Sequence, residues 1–96
     1  MANTVNISAH EVLENSGVPV AEGVPLLSEN VTSSGTSAQS SAMPANTEVV
    51  RIATDTTIRV LIGSNPTALA TSVRMLADTS EYFTVREGHK VAVINE

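Results

Sequence analysis

Cysteine and tryptophan are absent from the chain, and Tyr82 and Phe83 are its only aromatic side chains. Without Cys there is no disulfide framework and no thiol chemistry, a composition that fits a reducing compartment. The large side chains that dominate most cores are nearly missing, so Val, Ile, Leu and Ala must pack the interior. The core of a 96-residue chain is thin, and we expect it to be supplemented by burial against another subunit.

Lys and Arg are missing from the first half of the chain. Residues 1–50 carry a charge of −5 from five Glu, whereas residues 51–96 carry five cations and five acids and sum to zero, which together give the net charge of −5. The cations stand singly and form no basic stripe of the kind that nucleic-acid binding needs. We therefore expect no nucleic-acid partner.

Long apolar runs are also missing. No run approaches the roughly 18 residues that a membrane-spanning helix needs. No basic segment followed by an apolar one opens the chain, so the pattern of a signal peptide is absent. We expect a soluble protein without a membrane partner.

The motifs of catalysis and metal binding are incomplete. The run His10-Glu11-Val12-Leu13-Glu14 begins like the helix of a zinc protease, but Glu14 stands where the second metal-binding His belongs. His10 and His89 are the only imidazoles, so a catalytic zinc site would need both to meet a carboxylate. Neither a Gly-x-Ser-x-Gly elbow nor a glycine-rich phosphate loop occurs. The sequence predicts no enzyme, and no catalytic, cofactor-binding or metal-binding residue.

Residues 47–94 have the pattern of a small antiparallel β domain, because short apolar runs are separated by turn-forming residues. Residues 48–54 and 57–62 alternate apolar and polar side chains on either side of Asp55-Thr56, which predicts a hairpin. In that hairpin Arg51 and Arg59 lie on the solvent or partner face. The strand starts fall at the spacing of a sandwich or barrel, and we predict an all-β fold, a small antiparallel β-sandwich of jelly-roll-like type.

The end of the chain continues this pattern. Residues 72–77 and 81–86 alternate, and Glu87-Gly88 has the composition of a tight hairpin turn. Residues 89–94 are apolar on both faces after Lys90, which is typical of a central strand.

Residues 1–31 are interpreted as an extended N-terminal arm, and residues 32–96 as the sandwich domain. Val5 and Ile7 alternate with polar residues in a strand pattern, residues 10–15 suit a turn, and Pro19 and Pro25 remove backbone donors. An arm of this kind binds along the edge of a neighbour's sheet. The candidate interface residues are Val5, Ile7, Val18, Val20, Val24, Leu26, Leu27, Arg51 and Arg59.

The composition of residues 32–46 favours a flexible linker, because small and hydroxylated residues bury little apolar surface. The alternative is a strand of small side chains, SAQSSAM, at a place where a neighbour approaches closely.

Four runs of residues in the second half resemble a group of small tailed-bacteriophage virion proteins. They are GTSAQSSAM at 35–43, VVRIATD at 49–55, IGSNPTA at 62–68 and EYFTVREGHKVAVI at 81–94. The resemblance covers about residues 32–94 and so includes the Ser-rich tract in the domain. Ala77 departs from it, since members commonly have Pro in this tract.

The resemblance implies a structural role as a head decoration or cement protein. Such a protein is made in the host cytoplasm, binds the major capsid protein on the outside of the virion, and self-associates as a dimer or trimer. The alternatives are a receptor-binding or glycan-binding fibre module, for which Tyr82 is the aromatic candidate, and a head-to-tail or tail subunit.

Overall fold

The computed structural model describes residues 3–15, 18–21 and 25–96, which form strands and turns and no helix. The strands are β1 (Thr4–His10), β2 (Val12–Asn15), β3 (Val18–Ala21), β4 (Leu27–Thr32), β5 (Ala38–Gln39), β6 (Val49–Thr54), β7 (Ile58–Gly63), β8 (Val73–Met75), β9 (Thr79–Thr84) and β10 (Lys90–Asn95). Within the described ranges there is consequently no helix that could cross a membrane.

Two antiparallel sheets of four strands face each other. Sheet A has the order β4-β1-β6-β9, and sheet C has the order β5-β10-β7-β8. Their inner faces share one apolar core, whose fully buried members include Ile7 and Ile52 from sheet A and Ile58, Val91 and Val93 from sheet C. The expected small antiparallel β-sandwich is confirmed.

The alternation of side chains explains how β6 and β7 join this core. Val50, Ile52 and Thr54 of β6 are buried while the residues between them are half-exposed, and Ile58 and Val60 of β7 are buried in the same way. A period of two places one face of each strand against the core and the other towards water. With no Trp and few aromatics, this core is built from β-branched side chains, which fit a pleated surface well.

The expected hairpin between β6 and β7 is wrong, because the two strands belong to opposite sheets. The turn at Asp55-Thr56 is an arch that carries the chain across the sandwich. The turn at Glu87-Gly88 is also an arch, since it leads from β9 in sheet A to β10 in sheet C. Gly88 has a φ of +84° there, a conformation that favours glycine. The alternation of apolar residues is the same for a hairpin and for an arch, so the pattern alone does not separate them.

The first strand corrects the interpretation of residues 1–31 as an arm. β1 pairs on one side with β4, where Ile7 faces Glu29, and on the other side with β6, where Ile7 faces Ile52. β1 and β4 are therefore strands of the sandwich itself, and the division at residue 31 does not separate two units. Val5 and Ile7 are completely buried in the core. Their alternation was correctly interpreted as a strand, but the strand's partners lie in the same chain.

Between β1 and β4 the chain forms a separate two-stranded sheet, sheet B. β2 pairs with β3 in an antiparallel register that sets Val12 opposite Ala21 and Asn15 opposite Val18. The turn expected for residues 10–15 is therefore wrong in part, since Val12–Asn15 is a strand. Pro19 lies in β3 opposite Glu14, and a proline is tolerated in a strand that has a partner on one side only.

The Ser-rich tract lies along the edge of sheet C and is not a linker. Asn95 N donates to Ser34 O over 2.8 Å, Ser40 N donates to Val91 O over 2.8 Å, and Met43 N donates to His89 O over 2.8 Å. Residues 34–43 thus follow β10 along its length, with regular pairing only in β5. Met43 is buried in the core, so the tract belongs to the domain.

Candidate interaction surfaces

The outer face of sheet C is covered by the chain's own connection between β7 and β8. Ala92 is on the outer side of β10, opposite Leu61, yet it is completely buried. Ala68 of the connection is also buried, and its N donates to Ser37 Oγ over 2.9 Å. Gln39 Nε2 donates to Pro66 O over 2.7 Å and holds the start of the connection on the sheet. The connection therefore covers part of this face, while Leu61 on the same face is 41% exposed.

At the end of that face Arg59 takes part in a small ionic cluster. Arg59 Nη2 lies 2.8 Å from Glu96 Oε1, Arg74 Nε lies 2.8 Å from the same oxygen, and Arg59 Nη1 donates to Ser72 O over 3.2 Å. The hydrogen bond from Arg74 and the positive charges of both guanidinium groups hold the pKa of Glu96 below its ordinary value. A shallow cavity of about 130 Å³ beside the cluster is lined by Arg59, Ala70, Ile94, Asn95 and Glu96. Both terminal nitrogens of Arg59 are thus bound within the chain.

The outer face of sheet A is open to solvent, and its side chains are exposed or half-buried except for Ser8. Alternation brings hydroxyl, amide, Arg and Tyr side chains to this face: Thr4, Asn6, Ser8 and His10 from β1, Ser28, Asn30 and Thr32 from β4, Arg51 from β6, and Ser80, Tyr82 and Thr84 from β9. We call these residues the polar face.

The middle of the polar face is a row that crosses all four strands. Ser28 lies opposite Ser8, Ser8 opposite Arg51, and Arg51 opposite Tyr82. Ser8 Oγ lies 2.9 Å from His10 Nε2. Arg51 has no side-chain hydrogen bond or ion pair within the described part of the chain, and Tyr82 is 59% exposed. The row therefore places a guanidinium group that has no partner among the described residues next to an exposed phenol ring.

An apolar cleft marks the side of the sandwich where β9 and the β7-β8 pair form the rims. It has a volume of about 160 Å³ and is lined by Val60, Leu61, Ile62, Val73 and Phe83. β8 pairs only with residues 58–60 of β7, so the rest of β7 lacks a strand on that side. Val73 is 55% exposed and Leu61 is 41% exposed.

On the opposite side of the sandwich, the carboxylate of Glu29 links the two sheets. Glu29 occupies an inner position of β4 opposite Ile7. Its Oε1 accepts a hydrogen bond from Ser41 N over 2.6 Å, and its Oε2 accepts one from Ser41 Oγ over 3.0 Å. Glu29 therefore ties β4 to the Ser-rich tract of the other sheet.

The structure separates the candidate interface residues. Val5 and Ile7 are core residues and have no exposed surface with which to bind a partner. Leu26 is 38% exposed, and Leu27 packs against the core. Of the residues predicted for the arm's interface, the side chains of Val18 and Val20, and the whole of Val24, lie outside the described residues.

Arg51 and Arg59 do not share a face. Arg51 lies on the outer side of sheet A, and Arg59 lies on the outer side of sheet C. Because the predicted hairpin is an arch, the two side chains point away from each other across the sandwich. One flat partner surface therefore contacts only one of them.

Among the described residues, no group of three or more His, Asp and Glu side chains lies close enough to hold a metal ion. His10 contacts Ser8, and His89 Nδ1 accepts a hydrogen bond from Arg86 N over 3.3 Å.

No protein-family model, curated protein or solved structure matches the chain.

Sequence reasoning found Tyr82 and Arg51 separately and missed that they are neighbours. Each was expected on an outward face from the alternation of its own strand. Their position opposite each other depends on the pairing of β6 with β9, whose residues are about thirty positions apart in the sequence. The alternation of Thr, Asn, Ser and His in β1 indicates the rest of the polar face, but these residues are interpreted from the sequence as part of an arm.

Proposed function

We propose that this protein is a virion structural protein that binds the outside of a tailed-bacteriophage capsid and cements neighbouring coat subunits. In this proposal the polar face of sheet A contacts the major capsid protein, and the protein is located on the capsid exterior after synthesis in the host cytoplasm. The role is structural and needs no cofactor.

The observation that carries the binding role is the Arg51-Tyr82 pair. Arg and Tyr are enriched among residues that dominate protein interfaces, where both lose their contact with water. Arg51 has no partner of its own to give up within the described part of the chain, and its fork of donors suits an acidic side chain of a coat subunit. The surrounding Ser, Thr and Asn side chains suit a polar rim. Residues 64–72 cover part of the opposite face, which favours sheet A as the contact surface.

The choice of a capsid as partner rests on the resemblance of residues 32–94 to phage virion proteins. The fold is compatible with it, because a small sandwich with one open sheet face fits a repeated lattice of subunits. The net charge of −5 disfavours a general attraction to nucleic acid, which fits a position outside the capsid.

The proposal is tested by adding the purified protein to expanded capsids that lack it and measuring binding by co-sedimentation. We expect saturable binding by the wild-type protein. Arg51→Gln removes the charge but keeps most of the apolar stem, and it should weaken binding by at least about tenfold.

Lys90→Gln is the matched control, because it removes one positive charge from the outer side of sheet C and should leave binding unchanged. The absence of saturable binding by the wild-type protein would refute the capsid role. Equal effects of the two substitutions would refute the assignment of the polar face.

A second candidate function, glycan binding, is favoured by one observation. Tyr82 is 59% exposed on a face rich in hydroxyl and amide groups, and sugars stack on exposed aromatic rings while polar groups bind their hydroxyls. A glycan array discriminates the two functions. Strong binding that is lost in Tyr82→Ala would replace the capsid role with a receptor-binding one.

A further inference from the structure

Within the described part of the chain, β9 is a free edge of sheet A. Its six residues pair with β6 on one side only, and five of the six are exposed. An edge of this length presents a row of unpaired backbone groups that can bind another strand. What binds there depends on which groups face outward and on the side chains beside them.

The register shows which backbone groups are free. Val85 N donates to Glu48 O over 3.1 Å. This bond belongs to the same antiparallel register as the pairs Phe83–Val50 and Glu81–Ile52. Because hydrogen-bonding direction alternates along an antiparallel strand, odd-numbered residues of β9 bond to β6. The N–H and C=O groups of Ser80, Tyr82 and Thr84 therefore point away from the sheet.

This edge carries little of the protection that usually prevents strand pairing. β9 contains no Lys, Arg or Pro, and its one charged residue is Glu81. Exposed apolar side chains surround it, since Tyr82 lies on the strand, Leu76 precedes it and Val73 forms the opposite rim of the apolar cleft.

The other edges of the two four-stranded sheets differ. β4 is tied to the Ser-rich tract through Glu29 and Ser41. β8 has only three residues, and its central residue, Arg74, is engaged with Glu96. β5 has two paired residues and continues as an irregular segment. β9 is thus the long edge that combines free backbone groups with exposed apolar surface.

We propose that β9 of one copy pairs with β9 of a second copy, antiparallel across a two-fold axis, with Tyr82 on the axis. Tyr82 then faces Tyr82 of the second copy, and Ser80 faces Thr84. All of these residues have outward-pointing backbone groups, so every facing pair can exchange two hydrogen bonds. The two copies of sheet A become one continuous sheet, which is an isologous contact.

Two registers let five of the six residues of β9 pair, one with Glu81 on the axis and one with Tyr82 on the axis, and Glu81 favours the second. When two copies of a sheet join across a two-fold axis, residues that lie opposite each other must have side chains on the same side of the sheet. The axis therefore passes through a residue whose side chain points towards the core or through one whose side chain points outward. With Glu81 on the axis, two carboxylates would lie directly opposite each other, which is unfavourable. With Tyr82 on the axis, Glu81 faces Phe83 of the second copy, and no like charges meet.

The pairing also doubles the polar face, because the two Arg51-Tyr82 rows lie on the same side of the joined sheet. Six residues from each copy are far fewer than the roughly 20–30 per side of a standard interface. The dimer should therefore form in the micromolar range. This inference does not depend on the proposed function, since it concerns the isolated protein.

A single engineered cysteine tests the geometry, because the chain has no Cys of its own. In the proposed dimer the Cα atoms of Tyr82 in the two copies lie about 5.5 Å apart, which is within reach of a disulfide. Under mild oxidation Tyr82→Cys should form a covalent dimer rapidly. Ser28→Cys, on the exposed outer side of β4, should remain largely monomeric. Equal rates of cross-linking would overturn the proposal.

Sedimentation velocity tests the equilibrium without a cross-link. At about 100 µM, well above a micromolar dissociation constant, the wild-type protein should be dimeric. Tyr82→Lys places two positive charges together on the axis and should be monomeric, whereas Ser28→Lys should remain dimeric. Thermal unfolding of each variant confirms that it is folded.

A wild-type protein that is monomeric at this concentration overturns the proposal.

Discussion

Ser40 uses both its backbone and its side chain to complete the hydrogen bonding of β10. Ser40 N donates to Val91 O over 2.8 Å, and Val91 N donates to Ser40 Oγ over 2.9 Å. The hydroxyl thus takes the place of a strand carbonyl at a position where the tract is irregular. Ser40 and Val91 are both buried, so water cannot replace this bond.

Ser40→Ala should therefore lower the free energy of unfolding by about 1–3 kcal/mol, because it leaves the N–H of Val91 without an acceptor. Ser64→Ala is the control, since Ser64 is exposed in the connection that follows β7 and the substitution should change stability by less than about 0.5 kcal/mol. Urea denaturation of the two variants and the wild-type protein measures the difference. Equal stability of all three would mean that the tract is not ordered against β10.

The positions and partners of single residues could be predicted from the sequence to different extents. Val91, Ala92 and Val93 were expected in a central strand, and all three are buried between β5 and β7. Ser40 could not be identified, because its role comes from a partner 51 positions away. For the same reason Arg51 could be placed on an outward face, but its neighbour Tyr82 could not be named.

At the scale of elements, β1 is the strand whose interpretation changed most. A short alternating strand with polar neighbours has the same pattern whether it pairs within its chain or binds to another. The burial of Ile7 between β4 and β6 shows that β1 pairs within its own chain. The arches at residues 55–56 and 87–88 show the same limit, because alternation specifies a buried face and not the sheet to which it belongs.

The position of β1 is tested by a pair of variants from the predicted arm. Ile7→Ala should lower the free energy of unfolding by about 2–5 kcal/mol, because it opens a cavity in the core. Leu26→Ala removes a similar volume from an exposed position and should cost less than about 1 kcal/mol. Thermal unfolding measures both. If Ile7→Ala were as stable as the wild-type protein, β1 would not be part of the sandwich.

At the scale of the whole molecule, spacing and alternation were sufficient to predict the architecture. Turn-forming residues between short apolar runs, and the regular spacing of the strand starts, indicate a sandwich, and two four-stranded sheets are present. Which surface remains open was not predictable, because it depends on how residues 64–72 fold back over sheet C. Sheet A therefore exposes the polar face, and its edge strand β9 exposes unpaired backbone groups.

These two features act together in the proposed role. A capsid repeats the same binding site many times, and a dimer with two polar faces on one side can engage two neighbouring sites at once. A second binding event of this kind is intramolecular and therefore strengthens attachment without new contacts. Weak pairing through β9 in solution is compatible with firm attachment on the lattice.

The most direct test of the capsid role is the copy number of the protein in intact virions, measured by quantitative mass spectrometry against the major capsid protein. A cement protein should be present in numbers comparable with the coat subunits, because it occupies each equivalent site of the lattice. A few copies per virion would contradict this account and would indicate a head-to-tail or tail subunit instead.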